Sequence, residues 1–290
     1  MQVSFNPIIT TNYYSQNVSN PRNLHFGNKT RIIQKDLTEL FEKYTKNEPE
    51  PLIKNLNKNF IEKLAEKLNK NPKSSIKIGV TGESGSGKST FVDWVKERLT
   101  YHNEPSSIIR RDQYMKDYSE KVKEYGSSNA YTITGALEHP DCVDFKRIIN
   151  DMSELSNGKA IYPKKRFRET GVILEHDFNN KVEPSQFVIA EGISIFHNPE
   201  FKNSLDISIY ADTPADIVKQ RWFERSASRG KIGTVAEKCF QVAKEQGQKF
   251  TVPYKETSDL VINTQNKKNA VFNFIDDLLN ILNKNKETKL

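Results

Sequence analysis

The chain has 290 residues, 36% apolar and 28% charged, with a mean hydropathy of −0.70. That leaves room for one large domain or two small ones with a substantial core, and is too apolar for wholesale disorder. No stretch approaches the roughly 18 apolar residues of a membrane span, and two distant cysteines, Cys142 and Cys239, support neither a disulfide framework nor a CxxC zinc site.

The formal charge is +7. Its lysines are scattered among asparagines rather than blocked and interleaved with aromatics, so a nucleic-acid or membrane partner is not expected. The first residues, Met1 to Asn6, lack the basic and apolar regions of a signal peptide, which makes a cytoplasmic location the expectation.

Residues 1–30 are rich in asparagine, carry Pro7, Pro21 and Gly27, and have neither period 2 nor period 3.6, so they read as a flexible arm. From Arg31, Ile32, Ile33, Leu37, Leu40, Phe41 and Tyr44 recur at helical spacing until Pro49 and Pro51 break the run. Leu52, Ile53, Leu56, Phe60, Ile61, Leu64 and Leu68 form a second stripe ended by Asn71-Pro72. Residues 31–72 therefore read as an N-terminal helical hairpin, and 73–290 as the main domain. There, candidate strands at 76–81, 107–111, 186–190, 206–211 and 259–263 alternate with helices near 89–100, 143–155, 214–227, 235–249 and 271–282. Such alternation predicts an α/β fold with a parallel sheet flanked by helices.

Residues 82–89 read Gly82-Glu83-Ser84-Gly85-Ser86-Gly87-Lys88-Ser89, a complete G-x-x-x-x-G-K-[ST] phosphate-binding loop. Ile76, Ile78 and Val80 supply the strand before it and Phe91, Val92, Val95 and Leu99 the helix after it. Gly82, Gly85 and Gly87 let the backbone curl so that successive N–H groups, Ser86 among them, face phosphate oxygens, and the helix adds its positive end. Lys88 is expected on the β- and γ-phosphates of ATP, Ser89 on Mg²⁺, and Thr90 as a further phosphate contact. A guanine-reading N-K-x-D and an ABC signature are both absent, which leaves a small-molecule kinase or a P-loop protein without catalysis.

The order of the remaining motifs resembles the uridine kinase/phosphoribulokinase family over about residues 76–264. A strand ends in Arg111-Asp112-Gln113-Tyr114, similar to the family's strand-end aspartate followed by an aromatic. Glu138-His139-Pro140-Asp141 is similar to its D-H-P-D run, Glu191-Gly192-Ile193 to its E-G-I, and Arg221, Arg225 and Arg229-Gly230-Lys231 to its lid helix. The resemblance implies a P-loop kinase fold with a helical lid, to which this chain adds an N-terminal helical extension. It also implies a small-molecule acceptor; self-association into a homo-oligomer is compatible with it.

An aspartate at the C-terminal end of a parallel strand points into the ligand crevice, so Asp112 is expected to take the proton of an attacking hydroxyl, the alternative being a helix cap or a salt bridge with Arg110 or Arg111. Glu191 emerges from an apolar strand near the triphosphate, where Mg²⁺ is its natural partner. Arg221, Arg225 and Arg229, four apart, would share a helix face and bring guanidiniums, Arg225 foremost, onto the transferring phosphoryl group. Tyr114, Glu138 and His139 are assigned to the acceptor site by the resemblance; His139 could instead only cap a helix.

The hairpin departs from the family. Uridine kinases carry P-x-Y-D-F-x-x-H-x-R there, whereas this chain has Pro163-Lys164-Lys165-Arg166-Phe167-Arg168-Glu169-Thr170. Lys165, Arg166 and Phe167 are the expected acceptor contacts, and four cations in five positions suit an acceptor that already carries phosphate or carboxylate. A nucleoside such as uridine leads the expectation, with a sugar phosphate or other anionic metabolite second, and a non-catalytic nucleotide-binding protein third.

Overall fold

A computed structural model describes residues 21–46, 50–265 and 268–287, with side chains from position 28 onward. In chain order the elements are α1 (Pro21–Thr45), β1 (Ile53–Leu56), α2 (Asn59–Lys70), β2 (Ile76–Thr81), α3 (Lys88–Tyr101), β3 (Ser106–Arg110), the short α4 (Ser119–Glu124) and α5 (Ser128–Ile133), and α6 (Phe145–Ser156). There follow the hairpin strands β4 (Lys165–Arg166) and β5 (Ile173–Leu174), then β6 (Phe187–Glu191), α7 (Pro199–Asn203), β7 (Ile207–Asp212), α8 (Ala215–Ser228), α9 (Gly233–Phe250), β8 (Leu260–Asn263) and α10 (Lys268–Glu287).

Among the described residues the main sheet has six strands in the order β1-β8-β7-β2-β6-β3. All its pairings are parallel except that of β1 with β8. β6 is buried along its whole length, as expected of a parallel strand covered on both faces. One face carries a core of α1, α2, α3 and α10, the other a core in which Ile148 and Met152 of α6 meet Ile109, Val188 and Phe196. The loops after β2, β3, β6 and β7 leave from the same end of the sheet, where ligands bind in open α/β folds. No described helix is long and apolar enough to cross a membrane.

The five strands expected in the main domain are present to within a residue or two. The N-terminal third differs from expectation. Residues 21–30 belong to α1 rather than to an arm, with Pro21 opening the helix, where its missing N–H costs nothing; residues 1–20 lie outside the described set. The helix expected from Leu52 is a strand and then a helix, because the edge of β8 offers partners that outweigh the apolar stripe. Asn57 N donates to Asp259 O and Asn263 N to Leu52 O, both at 2.8 Å. The segment 31–72 is thus helix, strand and helix, not a hairpin of two helices, and it shares its core with α3 and α10. Phe41 of α1 packs edge-on against Phe60 of α2 at 5.1 Å between ring centres and lies 5.7 Å from Phe274 of α10.

Candidate active site

The phosphate-binding loop joins β2 to α3 in a backbone shape that excludes side chains. Gly85 has φ +100°, and a Cβ there would lie 2.7 Å from Val218 O; one at Gly82 would lie 2.6 Å from Ala211 O. Two threonines hold the loop from below. Thr213 Oγ1 and Thr264 Oγ1 donate to the Ser86 carbonyl at 2.9 and 2.5 Å, tying the ends of β7 and β8 to the loop. Lys88 opens α3 and is buried, its Nζ 3.3 Å from Glu83 O. Burial pushes the ammonium down from its ordinary pKa, and Glu191, with smaller help from Asp112, works against that shift.

Carboxylates from neighbouring strands face this lysine. Glu191, the last residue of β6, accepts from Ser89 Oγ and from Arg110 Nη1, both at 3.0 Å on Oε1. Asp112 lies in the turn after β3. Its Oδ2 accepts from Arg168 Nη2 at 2.6 Å, with Arg166 Nη1 at 3.8 Å and, on Oδ1, Arg111 Nη1 at 3.7 Å. Its position deep in the cleft would raise the carboxyl pKa, yet Arg111, Arg168 and Arg166 together outweigh that and hold it well below the usual range. About half of the side chain still opens into the cleft.

Across the cleft stands the lid, α8 with the start of α9. Arg225 Nη2 donates to Ser84 Oγ in the phosphate loop at 2.6 Å. Arg221 reaches over Gly87, where an added Cβ would lie 3.1 Å from its Nη1. Arg229 ends α8, its guanidinium pushed down in pKa by partial burial and then by Arg168 and Arg225. Together these groups enclose a cavity of about 930 Å³ lined by ten lysines and arginines against five carboxylates. That volume is at the upper end for small-molecule sites, and the positive excess suits a polyphosphate.

A family model described as Phosphoribulokinase / Uridine kinase family matches residues 77–270, which takes in the loop, both carboxylates and the lid. The chain belongs to this family. The uridine kinase of Clostridium perfringens (strain SM101 / Type A) is 32% identical over 192 residues, covering 66% of this chain and 88% of the relative. The uridine kinase of Clostridium novyi (strain NT) is 32% identical over 219 residues, covering 73% and 98%. Among solved structures, a candidate fructose transport system kinase from Silicibacter sp. TM1040 superposes with a TM-score of 0.50 at 17% identity, over 65% of this chain and 89% of that one, a likeness of fold.

As a phosphoribulokinase/uridine kinase family member the protein is a P-loop kinase, and most of the residues expected at its site do meet. Lys88, Ser89, Asp112, Glu138, Lys165, Arg166, Glu191, Arg225 and Arg229 all line the cavity. Four do not. Tyr114 is fully buried, its hydroxyl donating to Asp151 Oδ2 at 2.8 Å, so the aromatic after the aspartate belongs to the core. The His139 Nδ1 accepts from Asp141 N at 3.2 Å and its ring meets Phe250 edge-on, which makes it a cap. Phe167 is 40% exposed, with the Lys165 ammonium 5.5 Å from its ring centre. Thr90 is exposed on α3 and does not line the cavity. Conversely, Arg110, Arg111 and Lys231 line the cavity without having been assigned to it, and Lys164 and Arg168 do so as the two members of the four-cation run that were not singled out. For Arg168 the signal was present in the run of cations itself, which continues past Arg166 into the turn of the hairpin.

Proposed function

We propose that the protein transfers the γ-phosphoryl group of ATP to a hydroxyl of a small molecule, with Asp112 as general base. The observation that carries this reading is the meeting of Lys88, Ser89, Glu191 and Asp112 in one cavity, close enough that both carboxylates bias the Lys88 ammonium. The acceptor oxygen attacks the γ-phosphorus while the bond to the β,γ-bridging oxygen breaks, its electron pair leaving on ADP. The hydroxyl proton passes to the Asp112 carboxylate and on to solvent. Lys88 and Arg225 neutralise charge on the transferring group, and the lid excludes water.

The donor set fits Mg²⁺. No cluster of three or more His, Cys, Asp or Glu is present among the described residues, while Ser89 Oγ and the Glu191 carboxylate stand together at the loop. An ion that keeps its waters and takes phosphate oxygens needs only one or two such protein ligands. When bound, it would neutralise charge on the β- and γ-phosphates.

The acceptor side favours an anionic alcohol, because Lys164, Lys165, Arg166 and Arg168 line it where a nucleoside would need neutral contacts. A nucleoside is the second reading, supported by the relatives that are uridine kinases. ADP release from MgATP, measured across nucleosides, sugar monophosphates and hydroxy acids, tests both. Saturable turnover with a phosphorylated or carboxylated alcohol is expected; turnover with uridine alone would reverse the order, and none with any alcohol would refute the kinase reading.

A further inference from the structure

The two arginines of the acceptor hairpin are held in different ways. Arg166 is anchored: its Nε and Nη2 donate to Tyr118 Oη at 3.0 and 2.9 Å, its guanidinium lies 5.3 Å from that ring centre, and its side chain is 11% exposed. Arg168 lies past β4, in the turn closed by bonds from Phe167 N to Val172 O and from Gly171 N to Phe167 O, both 2.9 Å. Its side chain is 45% exposed, and among the described residues its guanidinium hydrogen-bonds to the Asp112 carboxylate alone. The oxygen it holds, Oδ2, is also the one that Arg166 approaches at 3.8 Å. The carboxylate thus occupies the fork between two guanidiniums, one anchored on Tyr118 and one half-exposed and held by the carboxylate itself, a place that suits any oxyanion.

A charge-assisted hydrogen bond to one carboxylate oxygen lowers the basicity of the whole group, so Asp112 is a weaker proton acceptor until that bond is released. Around it the cavity has a surplus of positive charge, with Arg229 and Lys231 pushed down in pKa by partial burial and then by neighbouring guanidiniums.

We propose that Arg168 is an acceptor-operated latch: it closes on Asp112 in the free protein, and a phosphate or carboxylate on the acceptor draws it off, to be gripped jointly with Arg166. The proposal rests on the reading of Asp112 as general base and adds a specificity rule to it. A neutral alcohol leaves the latch shut, and ATP stays protected from water while no acceptor is bound. Arg168 is then a residue that selects the acceptor and releases the base in the same movement.

Methyl phosphate, which carries the oxyanion but no alcohol, is the probe. Its affinity is measured by calorimetry for the wild type, Asp112→Asn, Arg168→Met and the double variant. If Asp112 and the anion compete for Arg168, Asp112→Asn tightens binding roughly fivefold, the scale of a half-exposed charge pair. Arg168→Met weakens it, and in the Arg168→Met background Asp112→Asn changes it by less than about twofold. A carboxylate that merely holds Arg168 in position gives the opposite sign, since Asp112→Asn then weakens binding. Tightening that persists without Arg168 reports only long-range charge; either result overturns the latch. Should a variant not fold, the wild type still decides. Methyl phosphate is expected to stimulate acceptor-free ADP release several-fold, and no stimulation in protein that turns over an anionic alcohol refutes the proposal. Coupling in the binding cycle with no ADP release from any alcohol would instead leave the anion exchange standing and remove the kinase role of Asp112.

Discussion

Replacing Tyr114 by phenylalanine separates a core role from an acceptor role. The side chain is fully buried and its hydroxyl makes a 2.8 Å hydrogen bond to Asp151, which is itself 2% exposed. The other partner of Asp151, Arg147, is ion-paired at 2.9 Å from Nε but out of line for a hydrogen bond, so the tyrosine supplies the well-directed one. Burial, and then the neighbouring carboxylate, push the phenol far above its ordinary pKa, so it is a permanent donor here. Tyr114→Phe keeps the ring and removes one bond to a buried charge, a loss of about 1.5–3 kcal/mol. At about 2–3 °C per kcal/mol for a chain of this length, the melting temperature falls by roughly 3–9 °C. The assay pairs thermal melts with steady-state kinetics, in which KM for the acceptor and for MgATP should be unchanged. An unaltered melting temperature together with a raised acceptor KM would refute this placement and return Tyr114 to the acceptor site.

Lys88→Ala should weaken MgATP binding, since the removed ammonium is buried against the loop and worth a few kcal/mol, on the order of 3, in a dry site; unchanged affinity in a direct titration would sink the nucleotide assignment. Asp112→Asn should leave MgATP affinity intact and lower turnover by roughly 10²–10⁴. Because Arg111, Arg168 and Arg166 hold the Asp112 carboxyl below its usual range, it is ionised in the free protein throughout the neutral and mildly acidic range. The acid limb of kcat/KM should therefore lie below the ordinary carboxyl range, and that of kcat, where the latch is lifted, should move upward from it. For stability the same lowered group contributes above the ordinary carboxyl pKa of about 4, and the contribution is lost as pH falls further. Acid titration followed by circular dichroism should accordingly show Asp112→Asn losing less stability between neutral pH and pH 3 than the wild type. Deleting residues 1–58 uncovers the partners of Ile33, Leu37, Leu40, Phe41, Tyr44, Leu52 and Ile53, all buried. At about 1.5–3 kcal/mol each, their burial rivals the whole stability of a domain, so a soluble, cooperatively melting deletion product would be the contrary result.

Local chemistry decided what the sequence revealed. The phosphate loop was legible because its glycine spacing admits few backbone shapes, and the strands beside it because buried parallel strands read as continuous apolar runs. β1 was not. Leu52, Ile53 and Leu56 extend the helical stripe of Phe60, Ile61 and Leu64 without a break, and only the edge of β8, some 200 residues later, makes them a strand. Tyr114 failed for a related reason: an aromatic beside a strand-end acid fits a ligand pocket or a core equally well, and the deciding atom is Asp151 on α6. Asp112 was found, but its partners were only half seen. The neighbours Arg110 and Arg111 stood as candidates, and Arg110 pairs instead with Asp93 and Glu191. The closest cation comes from position 168, because a hairpin folds across the end of β3.

Pairing the first strand of the sheet with the last makes synthesis order matter. α1 and β1 leave the ribosome early, while β8 and α10, against which they pack, leave at the end. At roughly 5–20 residues per second, the greasy side of α1 waits some 10–45 seconds for its cover. During that interval β2, β3, β6 and β7 have one another to pair with, but β7 lacks β8 and α3 lacks α10. Thr264, one of the two threonines that hold the phosphate loop, is also made late, so a stall or truncation near position 260 leaves an open seam and a loop without one of its ties. Such a species would be recognised by its stickiness rather than by any loss of the motif that identifies it.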